Sequence, residues 1–111
     1  MYKVVKRLEI SAAHKLKLDY GSKCQNLHGH NWIICIYLKC KNLNNNGMVY
    51  DFTKIKELVS GKLDHKNLNN ILEDNPTAEN IAKWISDELG TKCYKVSIQE
   101  SEGNVVIYER D

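Results

Sequence analysis

The segment HGHNWIICIYLK, residues 28–39, restricts the fold more than any other stretch of this sequence. Its positions Trp32, Ile34, Ile36 and Leu38 share a parity with His28 and His30, while Ile33, Cys35 and Tyr37 make the other parity partly apolar as well. Because side chains alternate across a strand, the pattern predicts a strand from about His28 to Lys41 that is covered on both faces. Such a strand needs paired neighbours. The first is Tyr2 to His14, where Tyr2, Val4, Leu8, Ile10 and Ala12 alternate with Lys3, Arg7, Glu9 and Ser11, and His14 continues the apolar face.

The remaining segments supply the layers. Asn42 to Gly47 is rich in residues that tolerate positive φ and suits a turn. Asp51 is placed to cap a helix carrying Phe52, Ile55, Leu58 and Val59, with Gly61 as its stop. KLDHKNLNN, residues 62–70, reads as a turn or short irregular element. A second helix starts around NPTAEN, with Asn75 or Thr77 as cap and Pro76 in the first turn, and carries Ile81, Trp84, Ile85 and Leu89 before Gly90. A third strand places Tyr94, Val96, Ile98 and Glu100 on one face, and after a turn at Glu102 to Asn104 a fourth spans Val105 to Tyr108. The order ββααββ predicts an α+β fold, a four-stranded antiparallel sheet with two helices on one face.

At 111 residues and 42% hydrophobic content, residues 1–111 are expected to form one domain, of a size at which oligomer contacts often complete the core. The net charge of +2 comes from 16 basic and 14 acidic residues that are interspersed, and no block of like charge points to nucleic acid. No apolar run approaches the roughly 20 residues that span a bilayer, so no membrane partner is expected. The four cysteines form no CxxC pair and no apolar leader precedes the first strand, which predicts a cytoplasmic protein with free thiols.

Within CQNLHGHNW, residues 24–32, His28 and His30 project to the same side of a strand, with Gly29 leaving room for a group to approach from behind. His14 ends the other strand on its apolar face. Three imidazoles with an open fourth position are the ligand set of a catalytic zinc site. The plainer reading makes His14 a core histidine and His28 and His30 loop residues, and spacing alone does not join them. A cupin-type site needs a glutamate shortly downstream, where this chain has WIICIY. Cys24 stands in a polar stretch, where a nearby cation would favour its thiolate; Cys35, Cys40 and Cys93 read as small buried apolar residues. Asp64 directly precedes His65, and adjacent side chains diverge, so the carboxylate orients the ring only through a turn. Glu100, on an apolar face, needs either a structural arginine or a ligand with paired N–H groups.

Six segments, SAAHKL, CQNLHGHNW, GMVYDFTKIK, LDHKNLN, NPTAENIAKWI and VSIQES, follow one another along nearly the whole chain, and together the sequence resembles the 6-pyruvoyltetrahydropterin and 6-carboxytetrahydropterin synthase family. The resemblance implies a tunnelling fold (T-fold) whose subunits join sheets into trimeric barrels that stack as hexamers. It implies zinc held by His14, His28 and His30, and Cys24 as catalytic thiol, with Asp64 and His65 as acid/base partners from a neighbouring subunit. It also implies that Glu100 anchors a pterin through its N–H groups and that Thr77 contacts the same ring. Three residues separate Cys24 from His28, which is similar to the carboxy-forming branch. The implied activity is zinc-dependent conversion of 7,8-dihydroneopterin triphosphate to 6-carboxy-5,6,7,8-tetrahydropterin, with release of acetaldehyde and triphosphate, in queuosine (7-deazaguanine) synthesis. The alternatives are a 6-pyruvoyl-forming enzyme on the same substrate and a non-catalytic zinc-stabilised pterin-binding module. Lys15, Lys23 and Lys66 read as solvated surface. Departures at Ile10 and Ser101, and the chain's shortness, remove none of the proposed chemical groups.

Overall fold

In the computed structural model, which describes residues 1–111, β1 (Tyr2–His14) and β2 (His28–Cys40) form one long antiparallel pair. Tyr2 lies opposite Cys40 at one end and His14 opposite His28 at the other. The chain continues through α1 (Phe52–Leu63), β3 (Lys66–Asn67), α2 (Ala78–Leu89), β4 (Cys93–Ser101) and β5 (Asn104–Glu109). The sheet order is β3-β1-β2-β4-β5. The four long strands and two helices follow the sequence pattern. The two-residue β3, parallel to Ala12 and Ala13 of β1, is an addition too short to leave a periodic signal.

The core lies between the helices and one face of the sheet. Ile55, Val59 and Leu63 of α1 and Ile81, Ala82, Ile85 and Leu89 of α2 are buried in the same cluster as Leu8, Ile10, Ile34, Ile36, Val96 and Ile98. The opposite face is less covered. Ile33, Cys35 and Tyr37 are half-buried there, so the expected two-sided burial of β2 is complete on one side only within a single chain. On the flanking strands Val5, Val105 and Ile107 are more than half exposed. No helix is long and apolar enough to cross a membrane.

Several local expectations are corrected by packing. Helix α1 does not stop at Gly61 but runs to Leu63, which is fully buried. A helical glycine costs about 1 kcal/mol relative to alanine, whereas burying a leucine is worth about 1.5–3 kcal/mol, so the extra turn is favoured. Helix α2 is capped by Thr77, whose hydroxyl accepts from the Asn80 N–H at 3.2 Å, and Pro76 precedes the cap instead of occupying the first turn. The helix ends at Gly90, where φ is 93°. In β4 the pairing with β2 shifts between Tyr37 and Leu38, so that Cys93, not Tyr94, lies opposite Leu38 and enters the core. Tyr94 turns to the other face, its ring 6.3 Å from that of Tyr37. All four cysteines are free; Cys93 is buried, while Cys24, Cys35 and Cys40 are only partly so.

Candidate metal centre and substrate cavity

The β1–β2 register places His14 opposite His28 and Ala12 opposite His30, so the three imidazoles project from the same end and face of the sheet. Ring centroids stand 4.5 Å apart for His14 and His28, 5.3 Å for His14 and His30, and 4.9 Å for His28 and His30. Trp32 packs edge-on against His14 and His30 and donates its indole N–H to the Ala12 carbonyl at 3.1 Å. This floor fixes the two rings and excludes water from beneath them.

Carbonyl oxygens set the tautomers. The Pro76 carbonyl lies 2.8 Å from His14 Nδ1, and the Asn26 carbonyl 2.7 Å from His28 Nδ1. A carbonyl can only accept, so each Nδ1 carries a proton, and in the neutral ring it is Nε2 that keeps the lone pair to offer a cation. Burial holds the basicity of His14 below the ordinary histidine value; the Pro76 hydrogen bond and Glu100 oppose that shift, and His28 and His30 add to it. The ring is therefore held in the neutral form a metal requires.

Glu100 completes the group. Its Oε1 is 3.3 Å from both His14 Nε2 and His30 Nε2. Both nitrogens are buried with no hydrogen-bond partner. The ligand atoms of His14, His28, His30 and Glu100 all lie within 4.8 Å of one another, a group able to hold a metal ion. Buried lone pairs without donors are costly, and a cation satisfies them together. The carboxylate's place in this group is what sequence reasoning missed. The signal was there in part: Glu100 shares its parity with Val96 and Ile98, the face on which the imidazoles also sit. It lies where β4–β5 pairing shifts between Gln99 and Ser101, an irregularity of the sort that re-aims a side chain.

Glu100 and Thr77 line one cavity of ≈ 440 Å³ together with Leu16, Leu18 and Val106. Two asparagines hold its loop wall. The Asn75 side-chain amide accepts from the Lys17 N–H and donates to the Lys17 carbonyl, both at 2.9 Å. Asn69 does the same to Lys15, again at 2.9 Å for each bond. Each amide thus takes the place of a neighbouring strand. The Leu16 N–H donates to the Cys24 carbonyl at 2.9 Å, which ties the turn Lys23–Gln25 to the same loop.

Asp64 and His65 do meet, through the required turn. His65 adopts φ of 59°, a left-handed conformation uncommon outside glycine, and its Nδ1 lies 3.0 Å from Asp64 Oδ1. Ser11 clamps the turn, its N–H donating to Asp64 Oδ1 at 2.9 Å while its carbonyl accepts from the His65 N–H. His65 opens onto a second cavity of ≈ 480 Å³, lined by Ser11, Ala13, Gly29 and Asn31 as well as His30. Those odd-numbered residues belong to the outer face, opposite the imidazoles. Cys24 lines neither cavity. A Cβ added at Gly29 would meet nothing closer than the Ala12 carbonyl at 3.8 Å, so no group of this chain uses the space that glycine leaves.

A family model described as 6-pyruvoyl tetrahydropterin synthase matches residues 3–111. The chain belongs to this family. It is 39% identical over 90 residues to the dihydroneopterin monophosphate aldolase of Pyrococcus furiosus, covering 78% of this chain and 74% of that one. It is 33% identical over 118 residues to the 6-carboxy-5,6,7,8-tetrahydropterin synthase of Rickettsia bellii, covering 86% and 85%. Among solved structures, 6-pyruvoyl tetrahydropterin synthase of Caenorhabditis elegans superposes with a TM-score of 0.76 at 29% identity, over 99% of this chain and 96% of that one. The T-fold implied by the six sequence segments is therefore the fold of this family member.

Proposed function

We propose that the protein is a zinc-dependent 6-carboxy-5,6,7,8-tetrahydropterin synthase acting on 7,8-dihydroneopterin triphosphate in queuosine synthesis. The observation that carries this reading is the convergence of three imidazoles and Glu100 beside a cavity that also takes in Thr77. Glu100 accepts from the paired N–H groups of the pterin, and the Thr77 hydroxyl borders the same ring. When bound, the divalent ion supplies Lewis acidity that lowers the pKa of the substrate's side-chain hydroxyls. Cys24, as thiolate, removes and returns a side-chain proton, and His65, oriented by Asp64, carries protons at neutral pH. Loss of triphosphate and hydrolytic cleavage of the side-chain carbon–carbon bond release acetaldehyde and leave the carboxylate, water supplying its second oxygen while the dihydropterin ring takes up the electron pair as it becomes tetrahydropterin. The single-chain geometry supports a homo-oligomer, in the resemblance a hexamer made of two trimers. His65 is 79% exposed and is not among the converging ligand groups of its own chain, as suits a residue that serves a neighbour's site.

A second reading is favoured by the 39% identity to the aldolase, whose name describes chemistry on a monophosphate. Retro-aldol cleavage would leave the phosphate on the departing two-carbon aldehyde. Incubation of metal-loaded protein with dihydroneopterin triphosphate and with dihydroneopterin monophosphate separates the readings. The synthase yields acetaldehyde and free triphosphate; a 6-pyruvoyl-forming enzyme yields triphosphate without acetaldehyde; an aldolase yields a phosphorylated aldehyde and no free phosphate. No product from either substrate would leave a pterin-binding module.

A further inference from the structure

Glu100 lines the cavity with Thr77 and also meets the imidazole nitrogens, and these are two different uses of one carboxylate. The distances decide what the second use is. A hydrogen bond from an imidazole N–H to a carboxylate would be about 2.7–2.9 Å, shorter than the 3.3 Å found for both contacts. The Nδ1 proton of His14 is committed to Pro76, so its Nε2 has none to donate. Two lone-pair atoms facing each other repel unless a cation lies between them. Ligand atoms about 2.0–2.1 Å from a zinc-sized ion at tetrahedral angles stand about 3.3–3.4 Å apart, the separation Glu100 Oε1 keeps from His14 and His30.

We infer that Glu100 is a displaceable fourth metal ligand. In the substrate-free protein its carboxylate closes the coordination shell that the three imidazoles leave open. Arrival of a pterin draws the carboxylate onto the ring's N–H groups and reopens the fourth position. The inference rests on the pterin-binding reading above and adds an exchange to it. Its placement suits such a role: the side chain is 30% exposed, at a pairing irregularity near the end of β4, and no arginine or lysine holds it. A permanently closed structural site has no such freedom.

The test uses the full-length protein loaded with Co²⁺, whose visible absorption reports ligand number. The probe is 6-methyl-7,8-dihydropterin, which has the ring but no side-chain hydroxyl to offer the metal. In the wild-type protein the probe should alter the cobalt spectrum. By linkage, the probe should weaken Co²⁺ affinity, measured by chelator competition, by the same factor by which Co²⁺ weakens probe affinity. In Glu100→Gln, Co²⁺ affinity without any pterin should fall by about 10–100-fold, the loss found when metal-site partners are removed. Unchanged affinity in Glu100→Gln would overturn the ligand. A spectrum indifferent to a bound probe, or no binding of the probe at all, would overturn the exchange. The wild-type arm needs no variant to fold. None of these measurements needs turnover, so a chain inert toward dihydroneopterin triphosphate would sink the synthase reading while leaving this result intact.

Discussion

His14 is at once a buried core side chain, a hydrogen-bond donor to Pro76 and an imidazole with a free lone pair; the lone pair requires the neutral ring, and burial favours it. Its folded-state basicity lies below the ordinary value of 6.5, chiefly because burial disfavours the cation. The unfolded chain therefore takes up this proton at higher pH than the folded one, and unfolding gains a proton as pH falls. The stability that His14 contributes is complete above 6.5 and is lost as pH falls through the lower folded value. Thermal unfolding of metal-free protein should show a midpoint that declines on acidification below 6.5, and added Zn²⁺ should protect less as protons compete for the same nitrogens. A midpoint that rises on acidification would contradict the burial argument. Cys24 offers a second test at this scale. It is not one of the converging ligand atoms, so Cys24→Ala should bind added Zn²⁺ as the wild type does, measured by elemental analysis, while turnover drops by the about 10²–10⁴-fold typical of a lost acid/base group. An active Cys24→Ala protein would remove the thiol from the chemistry.

At the scale of elements, Asn75, Pro76 and Thr77 serve three ends in three consecutive residues. They hold the Lys17 backbone, orient His14, and cap α2 while lining the cavity. Thr77→Ala should cost about 1 kcal/mol in denaturant unfolding through the lost cap, and should also weaken pterin binding. Thr77→Ser keeps the hydroxyl and should restore both; a serine variant as impaired as the alanine would show that the methyl group, not the cap, matters. Asn75→Ala should leave α2 intact but free the loop, seen as faster hydrogen exchange at the Lys17 amide. What the sequence made legible divides along the same line. Period-2 alternation in β1 and β2 is a direct consequence of one buried face, so His28 and His30 are legible as a same-face pair and His14 as lying on the apolar face of its own strand; it is the β1–β2 register that joins them. Features made by a single residue step were not. The shift at Tyr37 moves Cys93 inward and Tyr94 outward, and alternation assumes no such step. The side-chain amides of Asn69 and Asn75 bond segments more than 50 residues away, which no local pattern in an asparagine-rich stretch can mark. The Asp64–His65 pairing needed φ of 59° at a non-glycine residue, which propensity disfavours and the Ser11 clamp imposes.

On the scale of the molecule, one chain holds all the proposed groups and yet does not assemble them. The imidazoles converge with Glu100, and His65, outside that group, opens onto the outer-face cavity that only His30 of the three also lines. That face carries exposed Val5, Val105 and Ile107 beside half-buried Ile33 and Tyr37, an apolar surface of the kind that association covers. If Cys24 of one subunit works with His65 of another, the two defects in Cys24→Ala and His65→Ala lie on different chains of each shared site. Mixing the two inactive proteins under conditions that exchange subunits then places an intact Cys24 opposite an intact His65 in about one quarter of the sites, from independent probabilities of one half at each position. Activity should therefore return to roughly that fraction of wild type, and it should disappear again on dilution that dissociates the oligomer. If both groups came from the same chain, every site in the mixture would lack one of them and the mixture would stay inactive.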